Sequence, residues 1–344
     1  MNKKFNTHIN RGFATIDEYD NISKYEEEVA SIAYKEYRRK WSNNPKNLVL
    51  EKGPLHIDID PTNYCNLKCT MCTRTRLNSI SNKKEKLQCM DFDLFKDIID
   101  EAKVLDVPSI KFGILSEPLV HPKFVDMVQY VSNKGFVDIG LVTNATLLNE
   151  DKARKLIGAG LMKINISFDS PVKETYEAIR VGADYDKTLN NIKKLIKIRD
   201  DMNSLTPLLR IQCVKLKENS NERALFLELF KPIADRIAFI DYEEKDDTLA
   251  DYSVLNNSEF DNYICSQLWQ RLTVDSFGIA FPCCAGTAFK EISWDIRQYG
   301  IESIWQDKVQ ILRDSFINNT WKEIPMCRKC IARAWTANYD DGKV

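Results

Sequence analysis

The chain has 344 residues, 44 % hydrophobic and 29 % charged, with 49 Lys and Arg against 50 Asp and Glu for a formal net charge of -1. That balance offers no basic surface for nucleic acid, and no apolar run is long enough to span a bilayer. "MNKKFNTHIN" has no apolar stretch behind its two lysines to make a signal peptide. The expectation is a cytoplasmic chain with one large domain and a smaller one, and with neither a nucleic-acid nor a membrane partner.

In chain order, residues 23–40 read as a helix capped by Ser23 with Glu26 three positions on, its stripe formed by Val29, Ala33 and Tyr37. From residue 55 strands and helices alternate. "LHIDID" (55–60) is a strand and "DFDLFKDIIDEAK" (91–103) a helix, followed by the strand 108–113 and the helix 122–133. Then come the strand 136–144, the helix 150–160, the strand 161–169 and the helix 186–200. A strand at 207–216, a helix opened by Asn219 and Glu222, and a strand at 235–241 complete six strand–helix units. Alternation of this kind implies a parallel sheet with helices outside. It leaves open whether the sheet is doubly wound or curls into an incomplete barrel. Polar residues gather where these strands end: Cys65, Glu117, Asn144, Ser167, Asp169 and Asp241. That rim is where parallel α/β folds build chemistry.

Ten cysteines need a reason in a reducing compartment, where structural disulfides are disfavoured. Cys65, Cys69 and Cys72 fall within eight positions, spaced C-x₃-C-x₂-C, with no histidine beside them. Soft thiolates suit zinc or iron–sulfur. A structural zinc normally closes with four ligands. Three thiolates on a four-iron cluster leave one iron open to bind a substrate or cofactor.

This spacing after a first strand resembles the signature of the radical S-adenosylmethionine (SAM) enzymes, over roughly residues 51–242. Met71 stands where the family often has an aromatic residue. "ILSEPLVHP" (114–122) is similar to its Gly-Glu-Pro motif, with Ser116 in the glycine position. The resemblance implies a partial (β/α)₆ TIM-like barrel and a [4Fe-4S] cluster on Cys65, Cys69 and Cys72 that binds SAM. It implies a 5′-deoxyadenosyl radical that abstracts hydrogen from the substrate, and a flavodoxin or ferredoxin as electron donor. Glu117 is implied at the SAM amino group, with Asn144, Ser167 and Asp169 on the segments approaching ribose and methionine.

The C-terminal region, with Cys265, "GIAFPCC", "SIWQD" and "CRKC", resembles the SPASM extension over roughly 260–332. A small cysteine-rich α+β domain is expected at 263–344, after a helical extension at 1–50, the barrel at 51–242 and a linker at 243–262. "RLTVDSFGIAF" reads as two short strands around a turn at Asp275–Gly278. The resemblance implies one auxiliary [4Fe-4S] cluster on Cys265, Cys283, Cys327 and Cys330, with Cys284 left over; zinc would fit the same four thiolates. An auxiliary cluster suits an oxidoreductase that must carry an electron away, so dehydrogenation of a sugar- or cyclitol-like small molecule is the first expectation. The alternatives are a peptide or protein maturase, which oxidises or crosslinks side chains, and a redox-neutral epimerase with a cysteine hydrogen donor. Asp241, Asp58, Asp60 and His56 are candidate bases, and Cys213 and Cys284 candidate hydrogen donors. Period two along 207–216 sets Cys213 on the helix-facing side.

Overall fold

The computed structural model describes residues 15–22, 25, 29–76, 87–241, 252–256 and 258–336. Its centre is six parallel strands: β2 (His56–Ile59), β3 (Ser109–Phe112), β4 (Asp138–Thr143), β5 (Lys163–Ser167), β6 (Leu208–Lys215) and β7 (Arg236–Asp241). They pair in strict chain order. A doubly wound sheet reverses its strand order at a switch point, and no reversal occurs between β2 and β7. Crossovers all of one sense keep the helices on one face and curl the sheet into a partial barrel.

The sheet grows at both edges to ten strands. β1 (Thr15–Asp20), which the sequence pattern did not disclose, lies antiparallel to β7. β8 (Arg271–Val274) runs parallel to β2, and β9 (Ile279–Phe281) and β10 (Trp294–Asp295) continue the sheet antiparallel. The expected hairpin is therefore an extension of the barrel sheet. Its turn needs Gly278, at φ 78°, and is closed by Asp275, whose Oδ1 accepts from the amides of Phe277 and Ile279.

The segment read as one helix is interrupted at residues 29–31: Ile22 and Tyr25 before the break are helical, and a longer helix follows it. α1 spans Ile32–Asn47 and is capped by Ser31, which accepts from the Tyr34 amide. Ser23 and Glu26 lie outside the described residues. Val29 and Ala33 are exposed, and the buried stripe is Tyr34, Tyr37 and Asn44. This stripe covers the N-terminal ends of the barrel strands. Trp41 meets the His56 ring edge-on at 5.8 Å, the Arg271 guanidinium lies 5.1 Å from the Trp41 ring, and Lys163 donates to the Tyr34 hydroxyl.

The helices between strands match the expected segments closely: α2 (Phe92–Val104), α3 (Phe124–Asn133), α4 (Glu150–Gly158), α6 (Tyr185–Asp201) and α7 (Arg223–Phe230). An additional short helix, α5 (Lys173–Ile179), precedes α6. Beyond the barrel, two 3₁₀ turns in the stretch read as linker bury Leu255 and Phe260. After β9, α8 (Gly286–Phe289), α9 (Ile296–Ser303), a π turn at Ile304–Lys308, α10 (Gln310–Ile317) and α11 (Pro325–Thr336) complete the chain. Among the described residues no helix is long and apolar enough to cross a membrane.

Inside the barrel Asp58 faces Lys111, its register partner on β3, at 2.7 Å and Arg271, the register partner of His56 on β8, at 2.9 Å. His56 completes the set at 3.0 Å from Asp58. Burial alone would raise the Asp58 carboxyl, but Lys111, Arg271 and His56 outweigh it and hold it well below the usual carboxylate range. Asp58 thus ties β2, β3 and β8 together. His56 sits at the covered end of the barrel, its own pKa lowered by burial against the pull of Asp58.

Asp58→Asn should destabilise the fold by up to about 3–5 kcal/mol, because it leaves two half-buried cations without their buried counter-ion. The denaturant midpoint at neutral pH measures this. Since the folded pKa is depressed, the Asp58 contribution is complete above the unfolded value of about 3.9 and is lost as pH falls through the folded one. The gap between wild type and variant should therefore narrow only below about pH 4.

Candidate metal centres at the barrel rim

The loop after β2 carries Cys65, Cys69 and Cys72 over the C-terminal end of the barrel. Backbone bonds fix it from two sides: Lys68 and Thr70 donate to the carbonyls of Val181 and Ile179, and the Glu117 amide donates to the Tyr64 carbonyl. Cys69 is buried and the other two are half-buried. Burial pushes the Cys65 thiol up to about 11, with Glu117, Cys69 and Cys72 adding to it, and raises Cys69 against the opposing charge of Arg180.

Two donors face these sulfurs. Asn144 Nδ2 lies 3.8 Å from Cys65 Sγ and also serves Asn66 Oδ1, while its Oδ1 accepts from the amide and hydroxyl of Thr146. Asn144 is thus both an Asx-turn residue and a neighbour of the first cysteine. Arg180 Nη1 lies 3.9 Å from Cys69 Sγ. Its guanidinium is buried and faces Asp169 Oδ2 at 2.7 Å. The sequence reading missed Arg180, because nothing in its spacing from the cysteines foretells the contact.

Three carboxylates singled out in the sequence, two as cofactor ligands and one as a base, prove to be engaged by the protein itself. Asp169 takes the Val214 amide on Oδ1 and Arg180 on Oδ2, so the residue expected at a ribose is the counter-ion of Arg180. Glu117 is fully buried. Its Oε1 accepts from Thr143 Oγ1 and the Leu119 amide, and its Oε2 from the Asn144 amide at 2.8 Å. One lone pair on Oε2 remains for a ligand donor. Asp60, a candidate base, accepts from the amides of Ile114 and Leu115 and from Ser116 Oγ. Ser116, standing in the motif's glycine position, thereby pins the loop.

Ser167 faces the barrel interior and accepts from Gln212 Nε2 at 3.0 Å. Asp241 ends β7 opposite Lys215, and its side chain is outside the described set. Cys213 lies in the helix-facing layer, buried beneath the Asp169 carbonyl and contacted by Asn219 Nδ2. Period two places it there, and that burial separates it from the barrel interior, contrary to a hydrogen-donor role. His121 bridges the Met90 carbonyl and the Lys123 amide, a packing role.

The second sulfur group gathers around Tyr263. Burial raises Cys265 to about 11 and Cys283 to about 12, and each feels Cys284. Burial also raises Cys327, which feels Cys283 and Cys265, while Tyr263 is raised by burial beside Cys265, Cys330 and Cys327. Cys327 and Cys330 reach it from one face of α11, three positions apart. Phe260, Phe316 and Trp321 ring Tyr263 at centroid distances of 6.1, 5.9 and 5.8 Å. Cys284, expected to stand apart, lies with the other four and within electrostatic reach of Arg271 in the barrel.

Among the described residues, no three His, Cys, Asp or Glu side chains converge on a point suited to a single ion. An iron–sulfur cluster spreads its ligands over several irons, so the chemistry of the donors is the better test. Both groups offer thiols alone, partly or fully buried, with amide and guanidinium donors at two of the sulfurs. That donor set fits [4Fe-4S] clusters.

Comparison with known proteins agrees with this donor set. Residues 59–212 match the family model of the radical SAM superfamily, and residues 265–331 that of the SPASM iron–sulfur cluster-binding domain. A tungsten-containing aldehyde ferredoxin oxidoreductase cofactor-modifying protein of Pyrococcus furiosus is 34 % identical over 169 residues, 48 % of this chain and 44 % of the relative. The chain thus spans about half the length of that relative. The structure of SuiB of Streptococcus suis bound to S-adenosylmethionine shares the fold, with a TM-score of 0.61 and 16 % identity over 90 % of this chain and 81 % of that one. The structure of BtrN with AdoMet and 2-DOIA shares it less closely, with a TM-score of 0.50 and 18 % identity over 82 % of this chain and 93 % of that one.

Removing the charge beside Cys69 should make the first cluster harder to reduce. Arg180→Gln is expected to lower its midpoint potential by about 60 mV, one tenfold change for a one-electron couple, and Arg180→Lys to retain the wild-type value. A potentiometric titration followed by electron paramagnetic resonance reads the shift.

Proposed function

For a chain that contains a radical SAM domain and a C-terminal SPASM domain, and so acts on an organic substrate by hydrogen-atom abstraction, we propose that the substrate is a peptide or protein side chain. The observation that carries this reading is the extent of the likeness to SuiB. It covers 90 % of this chain at a TM-score of 0.61, and SuiB has also been seen bound to its precursor peptide SuiA. The likeness to BtrN, whose bound molecule is small, covers less of this chain at a TM-score of 0.50. The first expectation, dehydrogenation of a sugar-like molecule, accordingly takes second place.

When bound at Cys65, Cys69 and Cys72, a reduced [4Fe-4S] cluster would supply the electron that cleaves SAM and so the radical that takes the substrate hydrogen. The chain's own residues prepare that event. Glu117 holds a fixed anionic oxygen with one open lone pair for the SAM amino group, and it stays fixed because three protein donors already grip it. Ser167 and Gln212 present hydroxyl and amide groups to the barrel interior, where a ribose needs partners. Asn144 and Arg180 lower the cost of negative charge on Cys65 and Cys69. Cys265, Cys283, Cys327 and Cys330, with Cys284 beside them, hold the auxiliary site that would carry an electron away in an oxidation. A flavodoxin or ferredoxin is the proposed electron source.

Anaerobic reconstitution tests the assignment. Wild type should take up about eight irons and the Cys65/Cys69/Cys72→Ala triple variant about four, and only wild type should release 5′-deoxyadenosine with SAM and dithionite. Four irons with one zinc in wild type would remove the electron-carrying role and leave a redox-neutral reaction, with Cys284 as the thiol to test. SAM cleavage should rise with peptide mixtures and not with sugars or cyclitols; the reverse result would restore the small-molecule reading.

A further inference from the structure

A small cavity of about 70 Å³ is lined by Asp60, Arg74, Asp275, Ser276, Thr287 and Lys290, with Leu115 and Phe281 among its apolar walls. Its walls come from both cysteine-bearing regions. Arg74 follows Cys72 by two residues, and Thr287 follows Cys283 by four. Asp60 and Asp275 follow immediately after β2 and β8, the strands that join the barrel to the C-terminal region.

Most polar groups here are already committed. Both Asp60 oxygens hold the loop after β3, and Thr287 Oγ1 donates to the Cys284 carbonyl. Asp275 uses Oδ1 to close its turn, and among the described residues its Oδ2 accepts no hydrogen bond. The adjacent Ser276 is 98 % buried and lines the cavity, and among the described residues its hydroxyl has no hydrogen-bond partner. A buried hydroxyl without a partner costs free energy unless something fills its place. The cavity thus presents one open anionic acceptor beside one open hydroxyl. Two acidic and two basic residues line it, so no net charge selects an ion.

We propose that this cavity is a substrate subsite for a single hydroxyl group, which donates to Asp275 Oδ2 and accepts from Ser276 Oγ. The cavity has room for a group as small as a hydroxymethyl or hydroxyethyl. The hydroxyl has two possible sources, a serine or threonine side chain of a peptide or a polyol. The peptide source rests on the reading under Proposed function.

The test is binding to the full chain by ligand-observed NMR titration, with N-acetylserine amide, N-acetylalanine amide and glycerol as probes. The serine probe should bind about tenfold more tightly than the alanine probe, as expected for a hydrogen bond to a charged group. Ser276→Ala and Asp275→Asn should each abolish the difference; the second keeps the Oδ1 acceptor and so the turn. Competition by glycerol at least as strong as that of the serine probe would keep the subsite and overturn the peptide source. Equal affinity for the serine and alanine probes, or a preference that survives in both variants, would overturn the subsite. None of these readings depends on iron loading, so failure here is separate from failure of the iron count.

Discussion

Asp60, Glu117 and Asp169 each sit at or just beyond the end of a strand, fully out of water, and each accepts a backbone N–H from the rim that follows. Asp60 takes the Ile114 and Leu115 amides after β3, Glu117 the Asn144 amide after β4, and Asp169 the Val214 amide near the end of β6. Loop ends on parallel strands have no sheet partner for their amides, and an unpaired buried N–H is costly. A carboxylate supplies a strong acceptor, and the bonds to it are charge-assisted. The rim loops that carry the sulfur-contacting groups therefore take their shape from a relay of buried carboxylates.

This relay sets what surrounds the cysteines. Glu117 holds the Asn144 amide, and the Asn144 side chain then reaches Cys65. Asp169 holds the Arg180 guanidinium, which then reaches Cys69. In each case a buried acid also fixes the group that meets the sulfur. Such second contacts orient ligands and tune a bound metal as strongly as the ligands' own placement does. The opposite end of the barrel is closed by different means. There Tyr34, Tyr37 and Trp41 cover a layer of paired charges around Asp58 and Asp138.

Much of this was legible in the sequence. The six parallel strands announced themselves by their period and by the helical segments between them, and the C-x₃-C-x₂-C spacing marked the first thiol group. Cys213 could be set in the helix-facing layer from alternation alone. What the sequence hid was long-range partnership. "LHIDID" alternates like a half-exposed strand, yet every residue of His56–Ile59 is buried, because Lys111 and Arg271 arrive from β3 and from a strand more than 200 residues on to neutralise Asp58. Asp169 looked like a ribose ligand because its partner Arg180 lies eleven positions along, across a loop whose course no local rule gives. The early helical segment hid its break at residues 29–31 and its run to Asn47 for a similar reason. Its true stripe is set by the barrel end it covers, not by the apolar period before it.

The union of barrel and C-terminal region through β8 explains why the second sulfur group lies where it does. β8 pairs in parallel with β2, so both strands point the same way and end at the same rim. The Cys65 loop leaves β2 there, and the Asp275 turn leaves β8 beside it, sending β9 back toward Cys283 and Cys284. Arg271 at the start of β8 is tied to Asp58 in the middle of β2, which fixes the register of one strand against the other; a slip of one residue would turn Arg271 out of the barrel.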